Sequence, residues 1–124
     1  MSMPKKILVV DDEPGSILLF ESVLKKRGFQ VVVASDGDEA IRKARKEKPD
    51  LIILDIMMPK LDGTEVAMIL REDEVTKNIP VFFITALIAP GDKMEVAGTS
   101  ANPVFAKPVN LNDLITKIQQ QIGT

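Results

Sequence analysis

Two short apolar runs without alternation stand out, Ile7-Leu8-Val9-Val10 and Leu51-Ile52-Ile53-Leu54. A continuous run of branched side chains predicts a strand covered on both faces, as at the centre of a parallel sheet. Each run ends in acid, Asp11-Asp12-Glu13 after the first and Asp55 after the second. Each then meets a turn signal, Pro14-Gly15 in one case and Pro59 with Asp62-Gly63 in the other. Asp55 alone could be a strand-end residue with no further role, because Asp is common in turns. The remaining elements decide that question.

From about Gly15 to Arg27 the spacing of Ile17, Phe20, Val23 and Leu24 predicts an amphipathic helix, with Gly28 as its stop. β-Branching predicts a strand over 30–34. Asp36 followed by Glu39 resembles a capping box and opens a helix to about Lys48, with Ala40, Ile41 and Ala44 inward. Its basic residues, Arg42, Lys43, Arg45, Lys46 and Lys48, fall opposite that stripe and read as a solvated face. Pro49 ends the helix. A third helix is predicted from Thr64 to about Glu72, a polar connection over 73–78, and a buried strand over 79–84 with Pro80 at its start. The least regular stretch, 87–102, allows a short helix over 91–97. Val104-Phe105-Ala106 reads as a fifth strand. Asn110 caps a last helix carrying Leu111, Leu114, Ile115, Ile118 and Ile122.

Strands alternating with helices imply right-handed βα crossovers. The expectation is one α/β domain over 1–124: a doubly wound, five-stranded parallel sheet with five helices, in three α/β/α layers.

Composition narrows the chemistry. With no Cys and no His, disulfides, thiolate or imidazole metal sites and His-based triads are excluded. Aromatics are 4% of residues, with no Trp or Tyr, so the core must rest on Ile, Leu, Val and Met. A net charge of −2 gives no sign of nucleic-acid or anionic-membrane binding. No apolar run reaches transmembrane length, and the first residues are not a signal peptide. A soluble, cytoplasmic protein is expected.

The residues just past the predicted strands are Asp11 and Asp12, Asp55, Thr85, and Lys107. In a parallel sheet these lie along one edge, where ligands bind. Three converging carboxylates repel, and a divalent cation resolves the conflict. Oxygen-only donors suit Mg²⁺ or Mn²⁺ rather than Zn²⁺. The Lys and Thr donors suit an anion rich in oxygen, which points to phosphoryl. One carboxylate could then be the nucleophile that forms an aspartyl phosphate.

The motifs Leu8-Val9-Val10-Asp11-Asp12-Glu13, Leu54-Asp55-Ile56-Met57-Met58-Pro59 with Asp62-Gly63, Thr85-Ala86 and Lys107-Pro108 together resemble a response-regulator receiver domain of flavodoxin-like architecture. The similarity spans essentially the whole chain. The resemblance implies Asp55 as phosphoacceptor, Asp12 as a direct Mg²⁺ ligand and Asp11 as a ligand partly through water. It implies that Met57 offers its backbone carbonyl to the metal, that Thr85 is the switch hydroxyl and that Lys107 pairs with the phosphoryl group. It also implies a cis Lys107-Pro108 bond. The implied phosphodonor is a histidine kinase or phosphotransfer protein. Output would run through contact with an unknown downstream protein, with a homodimer left open.

Several positions depart from the family pattern. The usual aromatic three residues before the Lys is Val104, with Phe105 one place later on the opposite side of the strand. Ser100-Ala101 replaces a Gly-Ala step, Pro103 intrudes, and Pro90-Gly91 interrupts the fourth helix. Apolar Met57 and Leu87, two residues past Asp55 and Thr85, imply slow autodephosphorylation. Two other readings compete. One is a degenerate receiver that binds partners without phosphorylation. The other is a phosphohydrolase of the haloacid dehalogenase type, which requires a second Asp where Met57 stands.

Overall fold

The computed structural model describes residues 4–86 and 102–123. Along the chain run β1 (Lys6–Val10), α1 (Pro14–Lys26), β2 (Gln30–Ala34), α2 (Gly37–Glu47), β3 (Leu51–Asp55), α3 (Gly63–Glu72), β4 (Val81–Thr85), β5 (Val104–Ala106) and α4 (Leu111–Ile122). All strand pairings are parallel, and the sheet order is β2-β1-β3-β4-β5. The order reverses direction after β1 and β3, so the carboxyl ends of these two strands flank a topological switch point.

The unalternating runs behave as their pattern requires. Ile7 to Val10 and Leu51 to Leu54 are fully buried. Alternate side chains leave the sheet on opposite faces. Leu8, Val10, Ile52, Leu54 and Phe83 pack under α2 and α3. Ile7, Val9, Ile53, Phe82 and Ile84 pack under α1 and α4. The helices thus cover both faces, giving the expected three layers.

Local chemistry sets the helix ends. Pro14 opens α1, where a missing N–H removes no helical bond. Gly28 follows that helix at φ +91°, which glycine adopts without strain. Asp36 accepts from the Glu39 N–H at 2.8 Å, while Glu39 reaches back to the Ser35 N–H at 2.7 Å, one residue before the cap. The reciprocal pair predicted for Asp36 and Glu39 is therefore present in a shifted form. Asp62 and Asn110 cap α3 and α4 in the same way, accepting from Glu65 and Asp113.

Two boundaries move. The fourth strand begins at Val81 rather than at 79. Pro80 has no N–H to give, and its carbonyl accepts from Ile52 at the strand's entrance. At the other end the strand extends to include Thr85. Four helices lie among the described residues, and the short helix predicted over 91–97 falls outside them. Arg42, Arg45 and Lys46 on α2 and Lys48 just past it are exposed, as a solvated face requires, while Lys43 is half-buried with its Nζ donating to Val33 O. No helix among the described residues is long and apolar enough to cross a membrane.

Candidate phosphoacceptor site

The sheet brings the strand-end residues to one edge through its backbone ladder. The Asp11 N–H donates to Ala34 O at 3.2 Å, the Ile56 N–H to Ile84 O at 2.9 Å, and the Lys107 N–H to Thr85 O at 2.7 Å. Asp55 and Thr85 are the last residues of β3 and β4, and Lys107 follows β5 directly. The Lys107-Pro108 peptide is cis, as expected.

Lys107 is the centre of the cluster. Its Nζ donates to Asp11 Oδ2 at 2.9 Å, to Asp55 Oδ2 at 3.0 Å and to Glu13 Oε1 at 3.1 Å. The second oxygens of the two buried acids are held by backbone. Asp11 Oδ1 accepts from the Glu13 N–H at 3.0 Å, and Asp55 Oδ1 from the Met57 N–H at 3.1 Å. Asp11, Asp55 and Thr85 are buried, whereas Asp12 is exposed and Met57 stands 54% exposed at the rim.

Burial pushes the Asp55 carboxyl up to about 6 from an ordinary 3.8, and the charge of Asp11 adds to the rise against the hydrogen bond from Lys107. Burial acts on Lys107 in the opposite sense, but the hydrogen bonds to Asp11, Asp55 and Glu13 outweigh it and hold the ammonium above its usual range. Lys107 is therefore a fixed cation at any physiological pH.

One carboxylate oxygen from each of Asp11, Asp12 and Asp55 lies within 4.8 Å of the others. That spacing and donor set fit a hard, oxygen-seeking divalent ion, and a chain without His or Cys has no imidazole or thiolate to offer.

Every residue expected at this edge is found there. Two features were not anticipated. Glu13 carried no role in the sequence reading, yet it is the third carboxylate on Lys107; the only signal was an acid directly after the Asp pair. In the sequence Gly63 reads only as a loop marker. An added Cβ there would lie 2.2 Å from the Asp55 carbonyl oxygen and 2.8 Å from Ile56 Cα. The start of α3 thus rests on the peptide that follows Asp55, and only glycine permits the approach.

The substituted aromatic position follows the alternation. Val104 packs on the α2/α3 face and Phe105 on the α1/α4 face, where its ring meets Phe82 at 5.6 Å. Thr85, two residues past Phe83, belongs to the face opposite Phe105. Leu87 lies outside the described residues.

The comparisons agree with the geometry. The response regulator receiver domain pattern matches residues 7–119. The alkaline phosphatase synthesis transcriptional regulatory protein PhoP of Bacillus subtilis is 41% identical over 94% of this chain, which spans 48% of that protein's length. The polar-differentiation response regulator DivK of Brucella anthropi is 31% identical, with 98% of each chain covered. Among solved structures, a response regulator from Chloroflexus aurantiacus superposes with a TM-score of 0.86 at 31% identity, covering 98% of this chain and 99% of that one. The receiver domain of the sensor histidine kinase PA1611 from Pseudomonas aeruginosa, solved with a magnesium ion in its active-site cleft, superposes with a TM-score of 0.81 at 27% identity, covering 98% of this chain and 99% of that one. An acid-lined, lysine-centred strand edge on this sheet order, with matching sequence along its length, makes this chain a member of the response regulator receiver domain family of two-component signalling.

Proposed function

We propose that Asp55 accepts a phosphoryl group in a two-component phosphorelay and that the change alters which proteins this chain contacts. One observation supports the reading most: three carboxylates gather within 4.8 Å of one another beside an ammonium 3.0 Å from Asp55. In the step, an Asp55 oxygen forms a bond to phosphorus. The bond from phosphorus to the donor's nitrogen or oxygen breaks, and its electron pair leaves with the donor. The attacking group must be ionised, and with its carboxyl near 6, Asp55 is mainly carboxylate at neutral pH.

The residues divide the remaining tasks. Lys107 offsets charge on the transferred group, and the Thr85 hydroxyl donates to one of its oxygens. Asp12, exposed, is suited to direct metal coordination. Asp11 has both oxygens engaged, by Lys107 and by the Glu13 N–H, which suits a ligand acting through water. With Asp55 and the Met57 carbonyl these acids would hold Mg²⁺, or Mn²⁺ in its place. A bound divalent ion supplies charge neutralisation on phosphoryl oxygens. The donor in this reading is a histidine kinase or phosphotransfer protein in the cytoplasm, and the receiver of the signal is another protein or a second copy. The only turnover is self-directed: phosphoryl uptake and its later hydrolysis.

The test is intact-mass and peptide analysis after treatment with acetyl phosphate and Mg²⁺. One phosphoryl group on the Asp55 peptide is expected, with none in Asp55→Asn or in chelator. Labelling of the Asn variant would move the acceptor elsewhere. A wild-type chain that neither labels nor binds beryllium fluoride would favour the phosphorylation-independent binding module. Met57 brings no polar group to hold an attacking water, so the phosphorylated form is expected to decay slowly. A lifetime of seconds in Mg²⁺ buffer would contradict that.

A further inference from the structure

Lys107 has three N–H donors, and each is committed to a different carboxylate, Asp11, Asp55 and Glu13, at 2.9, 3.0 and 3.1 Å. To reach an oxygen of a phosphoryl group approaching Asp55, the ammonium must give up a bond it already makes. The three partners are not equally replaceable. The Asp11 and Asp55 side chains are 0% and 3% exposed, and each is also held by a backbone N–H. Until the bond to phosphorus forms both are buried carboxylates, and releasing either would leave a buried charge without its cation, which is costly. The Glu13 carboxylate is 66% exposed, so water takes over its solvation when Lys107 leaves.

We propose that Glu13 is a positioning residue: its carboxylate occupies the Lys107 N–H that the phosphoryl group later takes, and so competes with phosphorylation. The inference rests on Asp55 being the phosphoacceptor. It gives Glu13 two effects in the resting protein. It keeps Lys107 over the Asp11–Asp55 pair, and it adds a negative charge beside the path of an incoming phosphoanion. Both oppose uptake of the group. Its backbone task is separate, because the Glu13 side chain makes no capping bond to α1. Removing the carboxylate charge therefore leaves the start of α1 as it is.

The experiment compares wild type with Glu13→Gln and Glu13→Ala for two quantities: the acetyl phosphate labelling rate and the beryllium fluoride affinity. Both are measured at saturating Mg²⁺, across ionic strength. Each variant is expected to label about two- to fivefold faster and to bind the phosphoryl mimic about two- to fivefold tighter at low salt, the scale of one partly exposed ion pair. The gain should shrink as salt screens the charge. Thermal unfolding should change little, and Gln and Ala should behave alike. Variants that match or fall below wild type at low salt would overturn the proposal. So would a gain that ignores salt, since that would mark a structural effect. Failure of the wild type itself to label would count against Asp55 as acceptor and not against Glu13.

Discussion

The two edges of the sheet treat charge in opposite ways. At the amino-terminal edge charges meet in near-balance: Lys6 Nζ pairs with Glu47 at 3.1 Å, and the Lys6 N–H donates to Asp50 at 2.8 Å. At the carboxyl-terminal edge one ammonium serves three carboxylates, and Asp12 stands beside them. The first arrangement closes the end of a strand at little cost. The second keeps a surplus of negative charge in a desolvated place, which opposes folding unless something cationic joins it. The contrast shows which edge is tuned for binding rather than for stability.

That contrast can be broken most sharply by removing the shared cation. Lys107→Ala should lose about 3 kcal/mol of stability at pH 8 in chelator, because it strips two buried acids of their partner. Urea unfolding with and without Mg²⁺ checks this, and the ion should return part of the loss, since metal binding is expected to persist. For the wild type, Mg²⁺ at a hundred times its dissociation constant should add about 2.7 kcal/mol, read as a rise in Tm.

Asp55→Asn tests the surplus from the other side. The folded carboxyl titrates near 6 against 3.8 when solvated, so folding prefers the protonated acid. Its ionised form is therefore a burden that is complete above pH 6 and absent below 3.8. The Asn variant should be more stable than wild type by about 3 kcal/mol at pH 7.5, with the difference vanishing as pH falls through that window. Paired denaturation curves at several pH values read it directly, and a gain that grows toward acid would contradict it. The smallest effect belongs to the balanced edge, where Lys6→Ala should cost about 0.5 kcal/mol, as partly exposed pairs do. A larger loss there would erase the distinction between the two edges.

Much of this was legible in the chain. The strands announced themselves because a sheet covered on both sides needs unbroken apolar runs, and Ile7–Val10 and Leu51–Leu54 supply them. Convergence of Asp11, Asp12, Asp55, Thr85 and Lys107 followed from parallel topology, which places every strand end on one edge. The side taken by Phe105 followed from simple alternation. Less legible was the division of labour between neighbours. Nothing in the order Asp11-Asp12-Glu13 says that the first is buried, the second exposed, and the third turned back onto a lysine 94 positions away in sequence. Those outcomes depend on where Pro14 starts its helix and how far each side chain reaches. The start of β4 was misplaced because Ile79 extends the apolar run, while the imino acid after it cannot join the ladder.

The bare α-carbon at Gly63 has a mechanical corollary. With no side chain between them, the first turn of α3 lies directly against the peptide beyond Asp55, like a lever resting on its pivot. A shift of the acid's backbone would meet that helix with no compliant side chain in between, and the same helix presents Met68 and Ile69 to solvent. Even an alanine there would collide with the Asp55 carbonyl and force the two apart.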